Sequence, residues 1–500
     1  MEQDKADKTM FHPEEPIPKV GEMLSLQGSL EIAEEGTARN HEGKHLLRRI
    51  DFCLMPLLLV SYTLQFLDKQ SLNFSSIMGI IDDLASRDLV GSRYSWSSSV
   101  FYFGYLAFSY PASFLMVRLP LGKYLAGTSF VWAVVLICHA AVQDFKGLII
   151  ARFFLGAAEA SISPGFSLIT GMWYKREEQP LRHGIWFLGN AIATMFGGLL
   201  AYGIAHIGGA LDAWRWLFII FGLITLVWAI VLVIFLPDTP DQALFLNEQQ
   251  RTQAVDRIRT NQTGMKDNHF KWDQVREVVQ DPNVLLLMVY QLTFSIPNGA
   301  HTTFSSLVMA GFGFTRFQVY LLNMPMGAIL AFFAIGSSYL CSRFNGYRTI
   351  VGAALSLISL TGSILVRFGP NQGSRLLGLW LFVAFAAGFP ISLSLIASNV
   401  AGFTKKSVAS AMMFFCYAAG NIIGPFLFFP REAPEYASGF LATTICFGIS
   451  TLTMLVLRFT LIMENKRRDK LQQTSISLPP EQLELSDKTD RQNLNFRYLY

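Results

Sequence analysis

Hydrophobic residues come in twelve long blocks along the chain, separated by shorter polar interruptions. A helix needs about 20 mostly apolar residues to cross a bilayer. Blocks of that size lie near 51–80, 95–117, 122–142, 147–172, 183–206, 214–236, 284–310, 317–340, 347–367, 376–398, 406–429 and 438–462. The polar stretch 237–283 divides them six and six, and its DTPDQALFLNEQQRTQAVDRIRTNQTG reads as a charged, partly helical linker. The pattern predicts an all-α membrane protein with 12 transmembrane helices in two six-helix bundles, 48–236 and 284–463. Polar tails, 1–47 and 464–500, flank them, with too little apolar content to fold by themselves.

Composition agrees. Of 500 residues, 52% are hydrophobic and 15% charged, where soluble domains carry about 25% charged residues. The formal net charge of +4 is small, and no basic, aromatic-interleaved soluble domain points to nucleic acid. The placement of the positive charge says more than its sum. With the N-terminus inside, the cytoplasmic side receives Lys44, Arg48 and Arg49, Arg118 and Lys123, Lys175, Arg176 and Arg182. It also receives Arg343 and Arg348, Lys405 and Lys406, and Lys466, Arg467 and Arg468, while the outer loops carry scattered singles or pairs. This bias predicts that both tails are cytoplasmic. Cys53, Cys138, Cys341, Cys416 and Cys446 fall in or beside apolar blocks without paired spacing, so they read as thiols and not as disulfides or metal ligands. The polar start lacks the layout of a cleaved signal peptide. No GxSxG, HExxH, phosphate-loop or dinucleotide pattern has a suitable context, so neither an enzyme nor a cofactor is expected.

Four ionisable residues stand inside the spans of the first bundle. Each would cost about 2.5–3.5 kcal/mol in hydrocarbon even on lenient insertion scales. Asp68 and Lys69 are placed within the bilayer because the chain after them, SLNFSSIMGII, is apolar again; the other reading ends the helix at Asp68 and leaves both charges at the interface. In ARFFLGAAEASISPG, residues 151–165, Glu159 lies seven residues after Arg152. That spacing puts them on one helix face, with Arg152 roughly 8 Å and Glu159 roughly 18 Å into the bilayer. Gly156 on that face admits a neighbouring helix. Such a pair is either a structural clamp between helices or part of a binding and protonation site. In the second reading Lys69 and Arg152 hold an anion, Arg152 with a planar fork suited to a carboxylate, and Asp68 and Glu159 exchange protons.

Twelve spans split by a cytoplasmic loop resemble the major facilitator superfamily, whose halves are related repeats. GSSYLCSRFNGYR, 336–348, resembles that superfamily's GxLaDRxGRR loop, with Ser342 where an Asp is usual. Longer stretches are similar to the fungal allantoate permease family within the anion:cation symporters: FLDKQSLNFSS, RFFLGAAEASISPG, WRWLFIIFG, FLPDTPDQALFLNEQQR, SIPNGAHTTF, SLIASNVAGFTKKSVASAM, GNIIGPFLF and APEYASGF. They fall in order across about 400 residues. The resemblance implies the major facilitator fold, proton linkage at Asp68 and Glu159, and substrate linkage at Lys69 and Arg152. Family members usually have Asn where Ser71 stands, and many relatives have Arg where Lys69 stands.

Further candidates for the substrate site are Tyr105, near a pocket Tyr of relatives, and Asn298, in SIPNGAH, where Pro297 and Gly299 are expected to break the seventh helix. His301 either titrates or is simply hydrogen-bonded. Asn399, Tyr417 and Asn421 are polar positions in the tenth and eleventh helices, and Lys405 and Lys406 read as topology or gate charges. The expectation is a monomeric, proton-coupled importer of a small organic anion, allantoate-, ureido acid- or vitamin-carboxylate-like, working by alternating access at a fungal plasma membrane. An exporter of metabolites or drugs with the same fold is the nearest alternative, and a non-transporting nutrient sensor a more distant one, since sensors often carry longer soluble tails.

Overall fold

Long runs of Leu, Ile, Val, Phe and Ala leave the backbone in lipid one local way to satisfy its N–H and C=O groups, the α-helix. The computed structural model of the chain is built on this rule. It describes residues 20–85, 92–175, 178–259, 271–344, 346–474 and 488–500, and among these there is no β-strand. The helices are α1 (Val20–Ser76), α2 (Ile80–Ala85), α3 (Arg93–Arg118), α4 (Leu121–Cys138), α5 (Phe145–Glu159), α6 (Ile162–Trp173), α7 (Gln179–Phe187), α8 (Gly189–Ile204) and α9 (Ala213–Phe235). After them come α10 (Glu248–Arg259), α11 (Trp272–Gln280), α12 (Pro282–Gly311), α13 (Arg316–Arg343), α14 (Arg348–Phe368), α15 (Gln372–Phe382), α16 (Gly388–Asn399), α17 (Phe403–Ile423) and α18 (Ala437–Thr474). By contacts the chain divides inside α1 into a unit ending at Phe52 and a second unit, Cys53–Tyr500, which holds every contact described below.

Among the described residues the helices make twelve passes, six on each side of the linker. In the first half α5 with α6, and α7 with α8, each make one broken pass; in the second, α15 and α16 join through a 3-10 turn at Val383–Ala387. Among the described residues nine passes are long and apolar enough alone to cross a membrane. The second and seventh are not apolar enough, carrying serines 95, 97, 98 and 99 and the polar series from Gln291 to Ser306, and the fourth is cut by its break into helices of 15 and 12 residues. These three passes face the space between the halves.

Several boundaries depart from the sequence reading. The first helix begins at Val20 and not near 51, and the last continues to Thr474. The seventh pass does not break at Pro297 and Gly299; α12 is continuous from Pro282 to Gly311. Gly299 instead permits contact with α17, since a Cβ there would stand 2.6 Å from the Asn421 carbonyl oxygen. The break lies in the fourth pass, at Ala160 and Ser161, directly after Glu159.

The closest helix crossing holds the site. A Cβ on Gly104 of α3 would meet the Phe153 carbonyl oxygen at 2.0 Å, and one on Gly156 of α5 would meet that of Phe101 at 1.9 Å. Two glycines thus let α3 and α5 touch backbone to backbone, as small residues do between membrane helices. Across the halves, α3 packs on α17 and α8 on α13.

At the face opposite the linker the halves are joined by polar bonds. Asn73 donates to Ser305 Oγ at 2.8 Å and accepts from the Ser306 amide at 3.0 Å. The Tyr94 hydroxyl donates to the Thr303 carbonyl at 3.0 Å, Ser95 to the Pro425 carbonyl at 3.0 Å, and Ser99 to the Ile422 carbonyl at 2.9 Å.

The linker face is built differently. Its first part belongs to the N-terminal half: Asp238 accepts from the Lys123 amide at 3.0 Å, Phe245 stacks on Trp173, and Arg257 of α10 pairs with Glu178. Helix α11 belongs to the C-terminal half, bound through Glu277, and Asp281 just after α11 binds there too. The C-terminal tail, expected to stay unfolded, is docked there over residues 488–500. Asp490 reaches Lys405 at 2.8 Å, the Leu499 amide donates to Asn399 Oδ1 at 2.7 Å, and Arg468 donates to the Tyr498 hydroxyl at 2.9 Å. Tyr498 in turn donates to Asp490 at 2.8 Å; burial and the Asp490 charge push its phenol well up, so it keeps that proton. Polar composition predicted a tail that does not fold by itself, but a polar segment can also dock where its buried groups find partners.

Candidate functional site

A cavity lies between the halves, with about 790 Å³ of empty space when its mouth is counted. Helix α1 supplies one stripe of its wall, Tyr62, Gln65, Phe66 and Lys69, at the three-four spacing of a single helix face. Helix α3 adds Phe101, Tyr102 and Tyr105, and the broken fourth pass adds Glu159 and Ser163 on either side of its kink. From the second half come Phe294 and Asn298 of α12, Phe389 of α16 and Tyr417 of α17.

Lys69 is the cation of this cavity. Its ammonium donates to the Tyr417 hydroxyl at 3.1 Å, a bond that crosses between the halves. It also lies 5.1 Å from the centre of the Tyr102 ring, 5.6 Å from that of Tyr417 and 5.9 Å from that of Phe66. Glu159 is 1% exposed, its Oε1 without a hydrogen-bond partner among the described residues. Gln65 reaches the Glu159 carbonyl at 3.5 Å.

The neighbours of these two charges point elsewhere. One residue turns a helix by about 100°, so Asp68 leaves the cavity and faces α9, where Thr225 donates to its Oδ2 at 3.4 Å. Arg152 lies two turns beyond Glu159 toward the closed face, under the Tyr94 seal, with its guanidinium 6.0 Å from the centre of the Phe218 ring. It is 2% exposed, and its Nε and Nη2 lack hydrogen-bond partners among the described residues. Arg152 and Asp68 are therefore behind the cavity wall, not on it, and no hydrogen bond clamps Arg152 to Glu159.

The other expected residues divide in the same way. Tyr105, Asn298 and Tyr417 line the cavity. Asn421 sits one layer back, with its Oδ1 accepting from Asn298 at 2.7 Å and from the Tyr102 hydroxyl at 2.9 Å. It ties the two halves together and orients Asn298. His301 lies against Phe382 of α15 inside the second half, ring centres 5.6 Å apart, and does not reach the cavity. Asn399 is far from it: its side chain exchanges two bonds with the Leu499 backbone, 2.8 and 2.7 Å.

Residues 58–425 match the Major Facilitator Superfamily. The chain belongs to this superfamily. It is a multi-pass membrane transporter of a small molecule, not an enzyme. Among relatives, it is 33% identical to the allantoate permease of Saccharomyces cerevisiae over 96% of this chain and 90% of that one. It is 36% identical to an uncharacterised transporter of Schizosaccharomyces pombe, over 92% and 86% of the two chains. The fold also matches the xylose transporter XylE from E. coli in a partially occluded inward open conformation, with a TM-score of 0.62 at 14% identity, over 81% of this chain and 97% of that one.

In this superfamily member, sequence reasoning passed over Tyr62, Gln65 and Phe66, though they share a helix stripe with Lys69. Tyr102, three residues before Tyr105, was legible by the same rule. Asn190 of α8, whose Oδ1 has no hydrogen-bond partner among the described residues, carried no such signal.

Proposed function

We propose that this transporter is a proton-coupled symporter that imports a small organic anion. In this reading Lys69 holds the anionic group and Glu159, on the same cavity, carries the proton. The observation that supports it most is Lys69: its one hydrogen bond among the described residues is to a neutral hydroxyl, so the ammonium is left to face the cavity. Lys69 is half-buried, and an incoming carboxylate gives its ammonium a charge-assisted bond that the neutral hydroxyl does not. The relationship to a protein named allantoate permease points to the same class of cargo. The halves rock about the cavity, with the polar seal at Asn73, Tyr94, Ser95 and Ser99 closed on the outer side and open in the alternate state. The protein works as a monomer at the plasma membrane, with both tails in the cytoplasm.

Uptake of labelled carboxylates by proteoliposomes, with and without an inward proton gradient, tests this. Accumulation driven by the gradient is expected in the wild type. Glu159→Gln stops accumulation and leaves anion exchange. Uptake indifferent to the gradient overturns the coupling, and a preference for neutral or cationic compounds overturns the anion reading.

A further inference from the structure

The two walls of the cavity differ in chemistry. The first half contributes all the charged groups and most of the polar ones, Gln65, Lys69, Glu159, Ser163 and Asn190, set among six aromatic rings. The second contributes Phe294, Leu330, Ala386, Phe389 and Phe414, with Asn298 and Tyr417 as its polar groups. Both of those are already engaged, Asn298 with Asn421 and Tyr417 with Lys69.

The rings also form a continuous belt. Phe187 stacks on Phe389 with centres 5.8 Å apart, and Phe389 meets Tyr417 at 5.5 Å. Tyr417 meets Tyr102 at 6.1 Å, Tyr102 meets Phe101 at 5.1 Å, and Phe101 stacks on Tyr105 at 6.5 Å. All six rings line the cavity. The Lys69 ammonium sits within this belt, near the faces of Tyr102 and Tyr417.

We propose that the cargo is a planar aromatic monocarboxylate: a flat ring held among these rings, with its one carboxylate on Lys69. The proposal rests on the anion reading above and narrows it. A polyol or ureido acid brings many donors and acceptors out of water, and the second half's wall gives them almost nothing to bond. A flat ring asks only for apolar surface and ring contact. Among the described residues a second carboxylate finds no second cation on the wall and meets Glu159 instead.

The test is uptake by proteoliposomes holding the full chain, with radiolabelled benzoate, cyclohexanecarboxylate, phthalate, allantoate and gluconate compared under the same proton gradient. Benzoate is expected to exceed each of the others by about tenfold in uptake efficiency, the size of a good ring contact. Phe389→Leu keeps the apolar wall but removes a ring, and should erase most of the preference for benzoate over cyclohexanecarboxylate; Phe389→Tyr should keep it. Allantoate or gluconate favoured over benzoate overturns this proposal and leaves anion transport standing. So does an unchanged preference in a Phe389→Leu protein that still takes up cyclohexanecarboxylate. Uptake of neutral or cationic compounds in place of every carboxylate overturns the anion reading and this proposal together.

Discussion

Two lysines of this transporter are accommodated in opposite ways. Lys405, at the start of α17, is fully buried and surrounded by Glu277 at 2.9 Å, Asp281 at 2.7 Å and Asp490 at 2.8 Å. Its three N–H bonds each have a carboxylate, drawn from the linker and the C-terminal tail. Lys69, in the first pass, has one hydroxyl and three ring faces, with open space ahead. The first is a completed structural joint. The second faces the cavity, and in the proposed reading a carboxylate completes it. The difference teaches how to read a lysine inside such a fold: whether it faces carboxylates or open cavity separates a joint from a candidate site.

The largest effect is expected at the joint. Lys405→Met removes the cation and leaves three carboxylates facing one another. Breaking a buried pair in this way costs about 3–5 kcal/mol. The purified variant should unfold well below the wild-type temperature in a detergent melt. Wild-type stability in Lys405→Met would mean that the three carboxylates do not depend on the lysine, and the comparison would fail on that side.

Lys69 should show the reverse. Lys69→Met should unfold within about 1 kcal/mol of wild type, since it gives up a single hydrogen bond to a hydroxyl, yet lose about 100-fold or more in uptake, equivalent to about 2.7 kcal/mol. Lys69→Arg should keep most of the uptake, since a guanidinium also presents charge to a carboxylate. A Lys69→Met protein that transports normally would remove the cation from the mechanism.

The passes were readable because a lipid-facing helix must be apolar over its whole length, and the charges stood out against that background. The first pass shows it best: Asp68 and Lys69 lie inside the membrane-length helix that ends at Ser76, not at its edge. What the sequence hid depends on partners distant in the chain. Arg152 shares a helix face with Glu159, yet the Tyr94–Thr303 seal covers it while the kink after Glu159 opens toward the cavity. No periodicity reports which end of a cleft is shut. Asn399 and Lys405 look alike as polar groups near a helix end. Their roles follow from a tail roughly a hundred residues onward, whose docking depends on three-dimensional complementarity and leaves no local pattern.

Arg152 gives the next effect in size. Because it stands behind the wall, Arg152→Gln should change the substrate concentration for half-maximal uptake by less than about threefold, whereas loss of a direct charge-assisted contact costs about tenfold or more. Maximal rate should fall by about tenfold, since the charge lies beneath the seal that must open in each cycle. Initial rates over a substrate series separate the two parameters. A large rise in half-saturation with an unchanged maximal rate would return Arg152 to the substrate site, alongside Lys69.

The smallest effect is at Asn399, which tests whether the docked tail is structural alone. Asn399→Ala removes two hydrogen bonds to the Leu499 backbone, each worth about 0.5–1.5 kcal/mol. The melt should therefore shift by a fraction of that caused by Lys405→Met, because the Lys405 joint and the Arg468–Tyr498 bond still hold the tail. Uptake efficiency should remain at the wild-type level, since the residue is on the linker face and not on the cavity. A several-fold change in substrate preference from Asn399→Ala would contradict that separation: it would mean that the joint on the linker face and the open site at Lys69 act as one, and that a fully bonded lysine can govern an unfinished one from a distance.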